Sequence, residues 1–145
     1  MFSALVDTSL TEAKYWSYIA EGGASIVVRY MGVANSTFTG HVLRLRKRPI
    51  SPATSSKAAE DVEQKSLRFQ ADVIAKLLPP DAVPVLHLAL VEQAWLEELA
   101  IHIESARPPT RRAVDCIDID RPYAILAPNL ISDTGVSIEI KVRAA

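Results

Sequence analysis

The sequence predicts an α+β domain, an antiparallel sheet with one or two packed helices. Three observations carry that expectation. Strand-like runs joined by short turns fill much of the first 46 residues, the apolar period lengthens to a helical one after residue 58, and strand-like runs return at 83–90 and beyond residue 113. The 145 residues are 49% hydrophobic, with 16 basic groups against 17 acidic ones and a mean hydropathy of +0.14. A disordered chain would hold fewer apolar residues and more net charge. One domain with one modest core is the expectation at this length.

In chain order, Ser9-Leu10-Thr11-Glu12 has the form of a capping box and predicts a short helix or turn before Tyr15. Residues 15–20 read as a strand, Glu21-Gly22-Gly23-Ala24 as a turn, and 25–31 as a second strand holding Ile26, Val27, Val28 and Tyr30. After a loop over 32–39, residues 40–46 read as a third strand around Val42 and Leu43, completing an antiparallel meander. Residues 49–57, rich in Pro, Ser and Ala, read as a mobile connection. Leu67, Ala71, Ile74 and Leu78 then recur at helical spacing, with Val73 and Leu77 widening the stripe. Pro79-Pro80 ends that helix. Residues 83–90 read as a strand, and 91–104 as a second helix in which Trp95, Leu99 and His102 or Ile103 share a face. Residues 106–112 read as a loop, and 114–119, 123–126 and 136–142 as strands.

A nearly neutral total excludes a wholly basic nucleic-acid binder. No apolar run approaches the ~18 residues of a membrane span, and residues 1–10 lack a cationic segment followed by an apolar one. The single Cys116 excludes an internal disulfide framework and a zinc site of paired cysteines. A soluble chain of a reducing compartment is expected, cytoplasmic or nuclear. The charge is unevenly spread. Residues 1–57 hold seven basic and three acidic groups, 58–104 three and nine, and 105–145 six and five. Cationic ends around an acidic middle suit a small polyanion better than a duplex.

Gly22 and Gly23 allow close backbone approach, so their amides could face a phosphate; the same pair also suits the tip of a plain hairpin. Arg44, on the third strand, could neutralise nucleotide phosphate charge as a strand lysine does in protein kinases, or be a solvated edge charge. Arg46, Lys47 and Arg48 read as a solvated face. Arg107, Arg111 and Arg112 stand in a Pro-containing segment that suits either phosphate recognition or a charged surface loop. Asp115, Asp118 and Asp120 invite a magnesium reading, but Asp118 and Asp120 alternate with Ile117 and Ile119 as a half-exposed strand would. His41, His87 and His102 show no ligand spacing, and Cys116, Trp16 and Trp95 read as packing residues.

Read in order, these pieces form a pattern. Trp16-x-Tyr18, Glu21-Gly22-Gly23-Ala24 and Phe38-x-Gly40-x-Val42-Leu43-Arg44-Leu45-Arg46-Lys47 resemble the start of inositol-pentakisphosphate 2-kinases. The resemblance continues through Ile74-x-x-Leu77-Leu78, Val91-Glu92-x-x-Trp95-Leu96-Glu97 and Arg107-Pro108-x-x-Arg111, and closes with Ser137-Ile138-Glu139-Ile140-Lys141. It implies the N-lobe of an enzyme that uses ATP and Mg2+ to phosphorylate the 2-hydroxyl of inositol 1,3,4,5,6-pentakisphosphate, giving phytate. Gly22, Gly23, Arg44 and Glu139 match positions that bind the nucleotide, and Arg111 and Lys141 match positions that meet inositide phosphates.

The chain departs from the pattern in places. Ser25 replaces the usual asparagine, and Ala127-Pro128-Asn129 stands where a polar or acidic residue often serves the nucleotide. Val142 replaces the proline of the Glu-Ile-Lys-Pro-Lys motif, and Arg143 its second lysine. The family's catalytic aspartate and metal carboxylate belong to a following C-lobe, so no catalytic or metal residue is expected here. The 145 residues alone are expected not to turn over substrate. The alternatives are a non-catalytic inositide-binding module and an α+β domain without ligand. No expectation attaches to oligomeric state.

Overall fold

The computed structural model describes residues 5–51, 62–131 and 134–138. The expected connection over 49–57 and strand over 136–142 lie largely outside them, as do Glu139 and Lys141. The described strands are β1 (Val6–Asp7), β2 (Trp16–Glu21), β3 (Ser25–Tyr30), β4 (His41–Pro49), β5 (His87–Leu90), β6 (Asp115–Ile117) and β7 (Tyr123–Pro128). They form one seven-stranded sheet in the order β1-β5-β7-β4-β3-β2, with β6 paired to the far end of β4. Every pairing is antiparallel except β1 with β5. That parallel edge departs from the purely antiparallel sheet expected, and a strand of two residues has no period from which to be read.

The meander forms as its alternation predicts. Ile26 and Val28 of β3 and Leu43 and Leu45 of β4 are buried on one face, where Trp95, Leu96, Leu99 and Ile103 of α3 (Gln93–Ile103) complete the core. Ile103, not His102, joins the α3 stripe; His102 is exposed.

The N-terminal segment departs from the expected capping box. The Asp7 carboxylate accepts from Ser9 N at 2.9 Å, and Glu12 precedes the next short 3-10 turn with no side-chain cap. Thr11 is instead a buried hub. Its hydroxyl donates to Thr8 O at 3.0 Å and accepts from Trp16 Nε1 at 2.9 Å, while its carbonyl accepts from Trp95 Nε1 at 3.0 Å. Thr11→Val keeps the shape but strands the indole N–H. It is expected to cost about 1–3 kcal/mol in urea unfolding; a neutral result would mean that the hub carries no net energy.

The helix after residue 61 keeps only part of its predicted face. It runs as α1 (Val62–Phe69), a π segment (Gln70–Ile74) and α2 (Ala75–Leu77). Leu67 and Ile74 are half-buried, yet Ala71 is exposed and Val73, Leu77 and Leu78 are 37%, 73% and 46% exposed. A π turn holds more residues than an α turn, so positions beyond it rotate off the stripe that a 3.6 period places inward. What fastens α1 is a charge. Buried Glu63 accepts from Arg46 Nε at 3.2 Å and lies 3.7 Å from Arg121 Nη1, on the sheet face opposite α3.

Residues 106–112, expected as a loop, include a short helix, α4 (Pro109–Arg112). Pro109 opens it because the first helical position has no use for an N–H. Asp118 and Asp120 lie past the end of β6 rather than in a strand.

Candidate functional site

The β2–β3 hairpin turns at Gly22-Gly23. Gly22 N donates to Ser25 O at 2.9 Å, and Lys47 N of β4 donates to Ala24 O at 3.0 Å, so the third strand holds the tip. Neither glycine has a positive φ, and a Cβ at either would meet nothing within 4 Å. The fold itself therefore requires glycine at neither position, and the turn's outer side is open to a ligand.

Register and pleat sort the cationic run of β4. Leu43, Leu45 and Lys47 point to the α3 side, and Arg44, Arg46 and Arg48 to the other. Arg44 pairs with Val27 of β3 and Ile125 of β7. It lies two residues in from the Ser25–Arg46 pair at the hairpin, roughly 7 Å along the strand. It is exposed, and among the described residues it has no carboxylate partner.

The other three cations are not the solvated face that the sequence suggests. Arg46 holds Glu63, and Arg48 Nη1 lies 2.6 Å from Asp120 and 3.7 Å from Asp118. Lys47 Nζ is buried 2.9 Å from both Glu21 and Asp115. Arg107, read as one of three phosphate-seeking guanidiniums, is spent on the same cluster. Its Nε and Nη2 donate to the Glu21 carboxylate at 2.9 Å each, Nη2 reaches Asp115 Oδ1 at 2.7 Å, and Nη1 reaches Asp115 O at 3.0 Å. The side chains of Glu21, Lys47 and Arg107 are 1%, 2% and 2% exposed. Burial pushes the Glu21 carboxyl upward, but hydrogen bonds from Arg107 and Lys47 and the charge of both outweigh it, holding it down at about 2.

This quartet escaped the sequence reading because its members come from four segments. The one available signal was parity: Lys47 shares its strand face with Leu43 and Leu45. The magnesium reading of Asp115, Asp118 and Asp120 fails on the same geometry, since each is paired to a cation. Among the described residues no group of three or more His, Cys, Asp or Glu is arranged to hold a metal. Strand pairing brings His41 and His87 together, their ring centroids 6.3 Å apart, which spacing along the chain did not foretell.

Arg111 and Arg112 end α4. Among the described residues, half-buried Arg111 has no side-chain partner and the buried Arg112 Nε donor has no acceptor. No helix among the described residues is long and apolar enough to cross a membrane.

An open glycine hairpin at the sheet edge, a strand arginine behind it with no carboxylate partner among the described residues, and a helix ion-paired to the same face fit a kinase N-lobe-like domain. Residues 18–142 match the family model for inositol-pentakisphosphate 2-kinase, and the chain belongs to that family. It is 31% identical over 141 residues to the inositol-pentakisphosphate 2-kinases of two strains of Cryptococcus neoformans var. neoformans serotype D. Each match takes in 92% of this chain and 33% of the relative, so the chain spans about a third of the curated proteins it resembles.

Proposed function

We propose that this chain is the nucleotide-side lobe of an enzyme that transfers a phosphoryl group from ATP to the 2-hydroxyl of inositol 1,3,4,5,6-pentakisphosphate. The observation that carries the reading is the division of the cations. In the two basic clusters, Arg46, Lys47, Arg48 and Arg107 are taken by carboxylates, whereas Arg44, Arg111 and Arg112 keep unused donors among the described residues. A buried donor without an acceptor is uncommon in a finished fold, and a phosphate supplies the missing oxygens. The Gly22 and Gly23 amides and Arg44 meet the nucleotide phosphates, with Glu139 serving the nucleotide as well. Arg111 and Lys141 meet the inositide. Stabilisation of phosphoryl charge by pre-placed donors is the main chemistry such a lobe contributes. Asp115, Asp118 and Asp120 are committed to cations, so carboxylates outside the described residues would hold the Mg2+ that offsets phosphate charge. The protein acts inside the cell, in cytoplasm or nucleus.

Two substitutions test this by opposite effects. Arg111→Ala should weaken inositide binding about tenfold or more and leave ATP nearly untouched, because a charge-assisted hydrogen bond is worth about 1.5–3 kcal/mol. Arg44→Ala should do the reverse. Calorimetry with each ligand at low and high salt reads both. Equal losses that vanish as salt rises would mean a generic basic surface and defeat the assignment.

A further inference from the structure

The buried quartet touches no ligand in the reading above, yet its four corners join the two halves of the site. Glu21 is the residue before Gly22. Lys47 belongs to the strand that bonds the hairpin at Ala24. Arg107 and Asp115 stand on either side of α4, which carries Arg111 and buries no residue of its own. A helix of four residues has little stability alone, so its place is set by how its ends are tied. Those ties are the Arg107 fork on Glu21, the 2.7 Å bond from Arg107 to Asp115, the 2.9 Å bond from Lys47 to Asp115, and the bond from Ile50 N to Val114 O at 3.0 Å.

We propose that Glu21, Lys47, Arg107 and Asp115 are positioning residues that hold the glycine hairpin and Arg111 at one fixed separation, so that donor and acceptor phosphates are met in a single geometry. The proposal rests on the role given to Arg111 above. A well-packed apolar cluster would often be as stable as buried ion pairs or more so. A planar guanidinium gripping carboxylates from both sides gives orientation that greasy packing does not.

The test is a double-mutant cycle in the full chain, with inositol 1,3,4,5,6-pentakisphosphate as probe and amide hydrogen exchange on the same samples. Asp115→Asn alters the least buried corner while keeping its shape. It is expected to weaken probe binding about fivefold when Arg111 is present and less than about twofold in an Arg111→Ala background. Exchange should speed up over residues 22–25 and 108–114 and stay unchanged in α3. Asp115→Glu, which keeps the charge, should recover most of both effects. Equal losses in the two backgrounds, or unchanged exchange over 108–114, would overturn the positioning role. If Arg111→Ala alone leaves binding intact, the inositide assignment of Arg111 falls, and exchange still decides whether the quartet ties α4 to the hairpin.

Discussion

Glu21→Ala is expected to destabilise the fold by about 3–5 kcal/mol, because it leaves Arg107 and Lys47 buried with one carboxylate between them. That is a large share of the roughly 5–15 kcal/mol that holds a domain together. The wild-type pH profile should carry the same signature. In the native state Glu21 stays ionised down to about 2, whereas an unfolded glutamate takes up its proton near the reference value of 4.5. Its contribution is therefore complete above about pH 5 and disappears as pH falls through the folded value. The shift corresponds to something on the order of 3 kcal/mol. The same attraction raises the Arg107 value, but arginine does not titrate in this range, so no second contribution is added. Urea unfolding at a series of acidic pH values, with Glu21→Gln beside wild type, reads the effect. An undiminished acid slope in the variant would assign the loss to other carboxylates.

Trp16→Ala should cost a comparable amount, about 3–5 kcal/mol. Trp16 is fully buried and sits edge-on to Tyr30, Phe38 and Trp95, with centroids 5.3, 5.8 and 6.2 Å away. Removing it opens a cavity among three aromatic rings and frees the Thr11 hydroxyl of its donor. Thermal unfolding should fall by on the order of 10 °C for a domain of this size. A cost below about 1 kcal/mol would mean that the ring cluster closes over the gap and that β2 is not the anchor it looks to be.

What the sequence made legible was what has a local period. The β2–β4 meander and the α3 stripe were readable because alternation and the 3.6 spacing show within ten residues. β1 and β6 were not recovered with their bounds, being too short to show a period. The helix after residue 61 was legible as a helix, but only Leu67 and Ile74 of its stripe face inward, since its π segment breaks the spacing and Glu63 supplies an anchor. Gly22, Gly23 and Arg44 could be singled out, because a glycine pair and a basic strand end are visible side by side. The bond between Glu21 and Arg107 could not, since 86 residues separate the two and nothing local marks them as partners. Long-range charge pairing leaves no local trace, whereas resemblance to a family can point to Arg111 without saying what holds it in place.

The position of β7 has a further consequence. It lies between β4 and β5, so the sheet is two separate pieces until residues 123–128 arrive. During synthesis, the β2–β4 meander can form early from neighbouring residues. The β1–β5 pair and the helices must wait beside it with one flank open. Closing such distant pairings is slow, and unpaired edges are where chains stick to one another. A nascent chain of this protein is therefore most exposed to aggregation while β5 and α3 have left the ribosome and β7 has not. The last strand described is the keystone of the sheet.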